Sequence, residues 1–268
     1  MSTASNRDAA RAKAKAMREE QARAARKKSI LIIVAATVIT ALVIAAVIFG
    51  SKSSNGATPT GETPSVSPST VAGIPPHTTE NGAIPFGKDL VAGSVNENAP
   101  VIDLYFDYAC PHCAEFETLH SAELAELATN GQATIVLHPV KILGSAWTDA
   151  VNNALAVVLV KDPAHAMDFH KNAFAILENA VKTQNPQALT IQALIEAATN
   201  AGVPTEVSTE FTPTIEANTY QPWTTENTKH FQEIGLTGTP SLLINGQKVD
   251  LAEINTPTGI TDKINSLK

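Results

Sequence analysis

The 268-residue chain has a net charge of −7, two cysteines and sixteen prolines, which fits neither a disulfide-stapled small scaffold nor a basic nucleic-acid binder. Its charge is unevenly laid out: residues 1–28 hold nine Lys/Arg against three acids, and the remainder holds ten against twenty-three. A basic flank, an apolar run and an acidic remainder form the layout of a membrane protein whose tail lies on the cytoplasmic side.

Residues 1–29 are an Ala-rich basic tail, read as a solvated topology signal, with contact to anionic lipid headgroups as the alternative. No aromatic residue interleaves with the charges, so nucleic-acid binding is not expected. Residues 30–50 follow, and the twenty residues Ile30–Phe49 carry no charge. As a helix that run spans about 30 Å, one bilayer core. It exceeds the roughly 7–15 residues of a signal-peptide core. It also ends in F-G-S-K-S-S, so a retained single-pass anchor is preferred to a cleaved leader. The flanking charges place the N-terminus in the cytoplasm and the rest of the chain outside the cell membrane. Residues 51–83 are Ser, Thr, Pro and Gly with few aliphatics, an extended tether unable to order itself. They lack the content of a dimerisation module, and a monomer is expected.

The globular part is placed at 84–268. Val101–Tyr108 (V-I-D-L-Y-F-D-Y) alternates Ile102, Leu104 and Phe106 with Asp103, Tyr105 and Asp107, which predicts a strand with both aspartates on the opposite, solvent-facing side. The segment beyond Ala114 puts Phe116, Leu119, Leu124 and Leu127 on one helical stripe, with Glu115, Glu117, Glu123 and Glu126 largely outside. Ala133–Pro139 is a second strand. Helices are predicted over Ala146–Val160, Ala164–Lys182 and Thr190–Ala201, with a fourth from about Thr212 to Ile234. Ser241–Ile244 and Gln247–Leu251 form a hairpin about Asn245-Gly246, and Ile260–Leu267 is a closing helix.

Cys110-Pro111-His112-Cys113 sits at the junction of the first strand and first helix, with Cys110 near the N-cap and Pro111 where a missing N–H costs nothing. Free N–H groups and the helix dipole there favour an anion, so the Cys110 thiol is expected to ionise easily. Protonated His112 adds a second favourable contribution. A stabilised thiolate is a stabilised reduced form, which makes the disulfide a stronger oxidant. Cys113, one turn in, is placed to resolve a mixed disulfide. A zinc site would need two ligands from the seven histidines, and no H-x-x-x-H pair supplies them. An inert pair is the remaining alternative.

With D-Y-A-C-P-H-C at Asp107–Cys113, G-T-P at Gly238–Pro240 ahead of a strand, and the helical block between them, the chain from about Ile84 to Lys268 resembles the DsbA-like thiol–disulfide oxidoreductases. Within them it is similar to the membrane-tethered form of Gram-positive actinobacteria. The resemblance implies an α/β thioredoxin-like fold with an all-helical insertion at about 144–212. It implies a cis Pro240 packed against the cysteine pair, and a Thr239 that touches the reactive sulfur. The implied partners are reduced exported proteins and a membrane reoxidase of the DsbB or vitamin-K-epoxide-reductase type, with no bound cofactor and no metal. One departure stands out: the buried acid many thioredoxin-like proteins carry six residues before the first cysteine is Leu104 here. Proton transfer is then open to Asp107, water or His112. Reversed electron flow, as in a reductase, or a client-binding module with incidental cysteines would fit the same motif.

Overall fold

The computed structural model describes Pro64, Ser65 and residues 72–267. The expected basic tail, membrane anchor and most of the linker lie outside the described residues. Five strands form one sheet in the order β1-β3-β2-β4-β5. They are β1 (Ile84–Phe86), β2 (Val101–Phe106), β3 (Thr134–Pro139), β4 (Ser241–Ile244) and β5 (Gln247–Lys248). β2 pairs parallel with β3, from Val101 opposite Thr134 to Phe106 opposite Pro139. On its other side β2 pairs antiparallel with β4, Ile102 opposite Ile244. β4 turns into β5 through Asn245 and Gly246, both at positive φ (50° and 76°), the backbone a two-residue hairpin needs. The sheet is thioredoxin-like in layout, with helices on it and a helical block inserted between β3 and β4.

β1 has no counterpart in the sequence prediction. It is three residues long with a proline in the middle; it pairs with β3 along its length, and Phe86 alone also bridges to Ala92. An edge strand tolerates proline because one side of it needs no ladder donors. The packed domain also starts before Ile84. Thr78 is fully buried, and Gly82 O accepts Trp223 Nε1 at 2.6 Å and Asn227 Nδ2 at 3.2 Å. Residues 72–83 therefore order themselves by anchoring to a later helix, which their own composition does not reveal.

α1 (Pro111–Thr129) packs against α3 (Ala166–Lys182) and against α8 (Gly259–Ser266). Being covered on more than one side, it buries Glu117 and Glu123 along with Phe116, Leu124 and Leu127. Leu119 is 37% exposed instead. Glu123 is hydrogen-bonded at both oxygens: its Oε2 meets His120 Nδ1 at 2.9 Å, and its Oε1 accepts Thr261 N at 2.7 Å, tying α8 to α1.

The inserted block comprises α2 (Ala146–Lys161), α3, α4 (Ile191–Asn200), α5 (Thr205–Ser208), α6 (Phe211–Ala217) and α7 (Gln221–Glu233). The expected single helix from Thr212 to Ile234 is divided. Asn218 adopts φ 47° as the cap of α6, and Pro222 opens α7. Ile102, Leu104 and Phe106 join Leu137, Val151 and Phe174 in one large core, whereas Tyr105 packs with Phe231 and Leu236 in a smaller one. Trp147 and Trp223 both belong to the large core.

Candidate active site

β2 ends at Phe106 and α1 begins at Pro111, so four residues, Asp107 to Cys110, make the whole turn. Asp107 holds it. The expected solvent-facing strand acid is completely buried, because the strand has ended and the chain has folded inward. Its Oδ1 accepts Ala109 N at 2.9 Å and the Thr148 hydroxyl; its Oδ2 accepts Ile142 N at 2.8 Å and Leu143 N at 2.9 Å. Four donors thus occupy both oxygens, the setting of an anchor that joins the motif to α2 and to the β3–α2 loop. Both oxygens of Asp107, the proton-relay residue considered from the sequence, are therefore engaged in holding the turn.

Tyr108 fixes the other flank. It is fully buried and its hydroxyl shares a hydrogen bond with His170 Nδ1 at 2.7 Å. The other ring nitrogen, His170 Nε2, faces Glu117 Oε1 at 3.2 Å without forming a hydrogen bond of good geometry. Neither Glu117 nor His170 was singled out from the sequence. A lone Glu on a helix gives no sign that a second helix will cover it.

Cys110 is the N-cap of α1 with φ −88° and ψ 115°, and its carbonyl accepts Cys113 N at 3.1 Å and Ala114 N at 3.2 Å. Pro111 follows at the first helical position, where no donor is lost. The two cysteines are in the dithiol form. Cys110 keeps 6% of its surface and Cys113 only 1%, so Cys110 is the sulfur a second chain can reach. The Thr239–Pro240 bond is cis, and Thr239 O accepts the Cys110 thiol at 3.4 Å. The Thr239 hydroxyl is buried with no conventional hydrogen-bond partner, which leaves it free to favour the Cys110 anion.

These surroundings split the two thiols. Cys110 is lowered from 9.0 to about 6, chiefly by the hydrogen bond from the Cys113 thiol. Burial opposes this, and the Thr239 side chain and then the N–H groups of Cys113 and His112 add to it. The helix N-terminus thus contributes, but the neighbouring sulfur contributes more. Cys113 moves the other way, far above the ordinary thiol range, because of burial and then the Cys110 charge. At pH 7 Cys110 is about nine-tenths thiolate while Cys113 holds its proton.

His112 differs from expectation in one respect. Its ring stands in solvent and its Nδ1 pairs with Glu115 Oε2 at 2.9 Å. Glu115, and after it the Cys110 thiolate, raises the His112 pKa. The ring therefore feels the thiolate, but the adjacent carboxylate offsets its charge, and what His112 gives Cys110 directly is a backbone N–H. Beside the pair runs a groove of about 290 Å³ lined by His112, Phe116, Leu119, Pro240, Leu251 and Ile254. Across Pro240 a second hollow of about 640 Å³ is walled by Thr237–Ser241 and Lys248–Leu251.

A buried dithiol at a strand-to-helix turn, facing a cis-proline loop and split into one acidic and one inert thiol, defines a thioredoxin-fold thiol–disulfide oxidoreductase of the DsbA type. The chain belongs to the thioredoxin family, whose family description "Thioredoxin" matches residues 87–263. Among solved structures it is similar to MdbA of Actinomyces oris, a thiol-disulfide oxidoreductase, at 36% identity and TM-score 0.72, covering 79% of this chain and 100% of that one. MdbA of Corynebacterium diphtheriae shares the fold at 20% identity and TM-score 0.54, over 71% and 92% of the two chains. DsbA of Mycobacterium tuberculosis does so at 20% and 0.52, over 69% and 91%. Comparison with curated proteins gives no match.

Proposed function

We propose that this chain is a membrane-anchored, extracytoplasmic oxidase that introduces disulfides into newly exported proteins. The observation that carries the reading is the opposed behaviour of Cys110 and Cys113. A client thiolate attacks the Cys110 sulfur of the Cys110–Cys113 disulfide, and Cys113 leaves and takes up a proton. A second client thiolate then attacks the client sulfur of the mixed disulfide. The client disulfide forms, and Cys110 departs as a thiolate. A leaving thiol of low pKa departs faster, which favours this second step. Cys113 must lose its proton before it can attack the mixed disulfide, which slows release of the client in reduced form. The two electrons gained by the domain pass to a membrane reoxidase of the DsbB or vitamin-K-epoxide-reductase type.

Exported clients and a membrane partner are supported by the basic flank and the uncharged run Ile30–Phe49. The groove beside Pro240 suits an extended apolar client segment. At pH 7 the lowered Cys110 pKa stabilises the dithiol by about 1.4 kcal/mol, which is about 30 mV toward the oxidising side for a two-electron couple. The test is the reduction potential of the full chain in detergent, equilibrated against glutathione. An oxidase is expected toward the DsbA value of about −120 mV; a result near thioredoxin's, about −270 mV, would reverse the direction of flow.

A further inference from the structure

The catalytic pair packs against one face of the sheet; the other face carries a cavity of about 600 Å³. A cluster of three rings lines it. Tyr105 and His138 are stacked, with centroids 3.9 Å apart and planes within 19°, and His230 lies to their side, 6.5 Å from Tyr105 and 6.4 Å from His138. Asp103 Oδ1 holds His138 Nε2 at 2.9 Å and so fixes that ring. Burial, and then His138, pushes His230 below its ordinary pKa, toward a neutral ring. Val136, Leu243 and Ile234 supply the apolar part of the wall, with Ile234 43% exposed, and Glu80, Asn81 and Asp103 supply its polar part.

Pro64 and Ser65 also form part of this wall. They come from a stretch, residues 63–76, without a single Asp, Glu, Lys or Arg. An uncharged, proline-containing segment can enter this groove without setting a like charge against the Asp103 and Glu80 carboxylates in its wall. Proline packs flat on aromatic faces, and an extended proline-rich chain has little conformational freedom left to lose on docking.

We propose that the groove formed by Tyr105, His138 and His230 is the seat of the chain's own linker, anchored through Pro64–Ser65. The docked linker caps the sheet face away from the cysteines, so the thiol chemistry proceeds with it in place. It also takes the groove out of reach of other extended proline-containing chains.

The test uses the full chain and a second full chain in which residues 61–70 are replaced by alternating Gly and Ser. The probe is a synthetic peptide of sequence G-E-T-P-S-V-S-P-S-T, followed by calorimetry. The replaced chain is expected to bind one equivalent. The native chain, whose own linker competes from a high effective concentration, is expected to bind at least about tenfold more weakly. His230→Ala in the replaced chain is expected to remove binding, while the Cys110 titration stays where it was and reports an intact domain. The proposal is overturned by a peptide that binds neither chain or binds both equally. Undiminished binding to the His230→Ala chain overturns it too, as does a native chain whose groove is closed only at concentrations where it dimerises.

Discussion

Replacing Cys113 by Ala removes the donor that does most to stabilise the Cys110 thiolate. The shift of Cys110 from 9.0 to about 6 corresponds to about 4 kcal/mol in favour of the anion. A hydrogen bond to a charged group contributes about 1.5–3 kcal/mol, or about 1–2 pKa units. Cys113→Ala is therefore expected to titrate at about 7–8, and its thiolate fraction at pH 7 to drop from about nine-tenths to between about one-half and one-tenth. Cys113→Ser, which keeps a hydroxyl donor, is expected between the two. Ultraviolet thiolate absorbance against pH reads the pKa directly, and the pH profile of iodoacetamide alkylation checks it independently. A Cys113→Ala chain that still titrates near 6 would refute the reasoning and return the effect to the helix N-terminus and Thr239.

Thr239→Val leaves the shape of the loop but removes the buried hydroxyl; Cys110 is expected to titrate about one unit higher, read by the same absorbance assay. The Cys110 pKa is depressed on folding, so its stabilising contribution is complete above pH 9.0 and is lost as pH falls through about 6. The oxidised form has no such thiolate, so the stability difference between the dithiol and disulfide forms is expected to shrink by about 1.4 kcal/mol between pH 7 and pH 5 in urea unfolding. Asp107→Ala strands the N–H groups of Ile142 and Leu143 and is expected to destabilise the oxidised domain by at least about 3 kcal/mol. A chain with unchanged stability but altered Cys110 reactivity would instead give Asp107 a chemical role. Gly82 sits at φ 78° with Trp223 Cδ1 2.9 Å from where a Cβ would be, so Gly82→Ala is expected to lower the unfolding midpoint. An unchanged midpoint would mean that residues 72–83 are not part of the folded domain.

Much of this was legible in the sequence wherever the determinant is local. Alternation in Val101–Phe106, proline after a would-be N-cap, and Asn245-Gly246 between two short strands each depend on neighbours in the chain, and each element is present, although the strands expected to reach Tyr108 and Leu251 end at Phe106 and Lys248. What escaped depends on distant partners. The burial of Glu117 requires α3 to lie over α1, and that of Glu123 is tied to α8 through Thr261. β1 exists because β3 offers it a ladder. At the site, the paired cysteines and Gly238-Thr239-Pro240 were visible as motifs. That Cys113 is the main stabiliser of the Cys110 anion, and that the His112 ring is taken by Glu115, emerges only from the folded geometry.

Asp107 has one further consequence. Its carboxylate gathers donors from Ile142, Leu143 and Thr148, all beyond β3, onto the turn that carries Cys110. The turn that carries Cys110 is thus held by donors outside its own strand and helix, so a change that loosens the β3–α2 loop is expected to loosen the reactive sulfur with it.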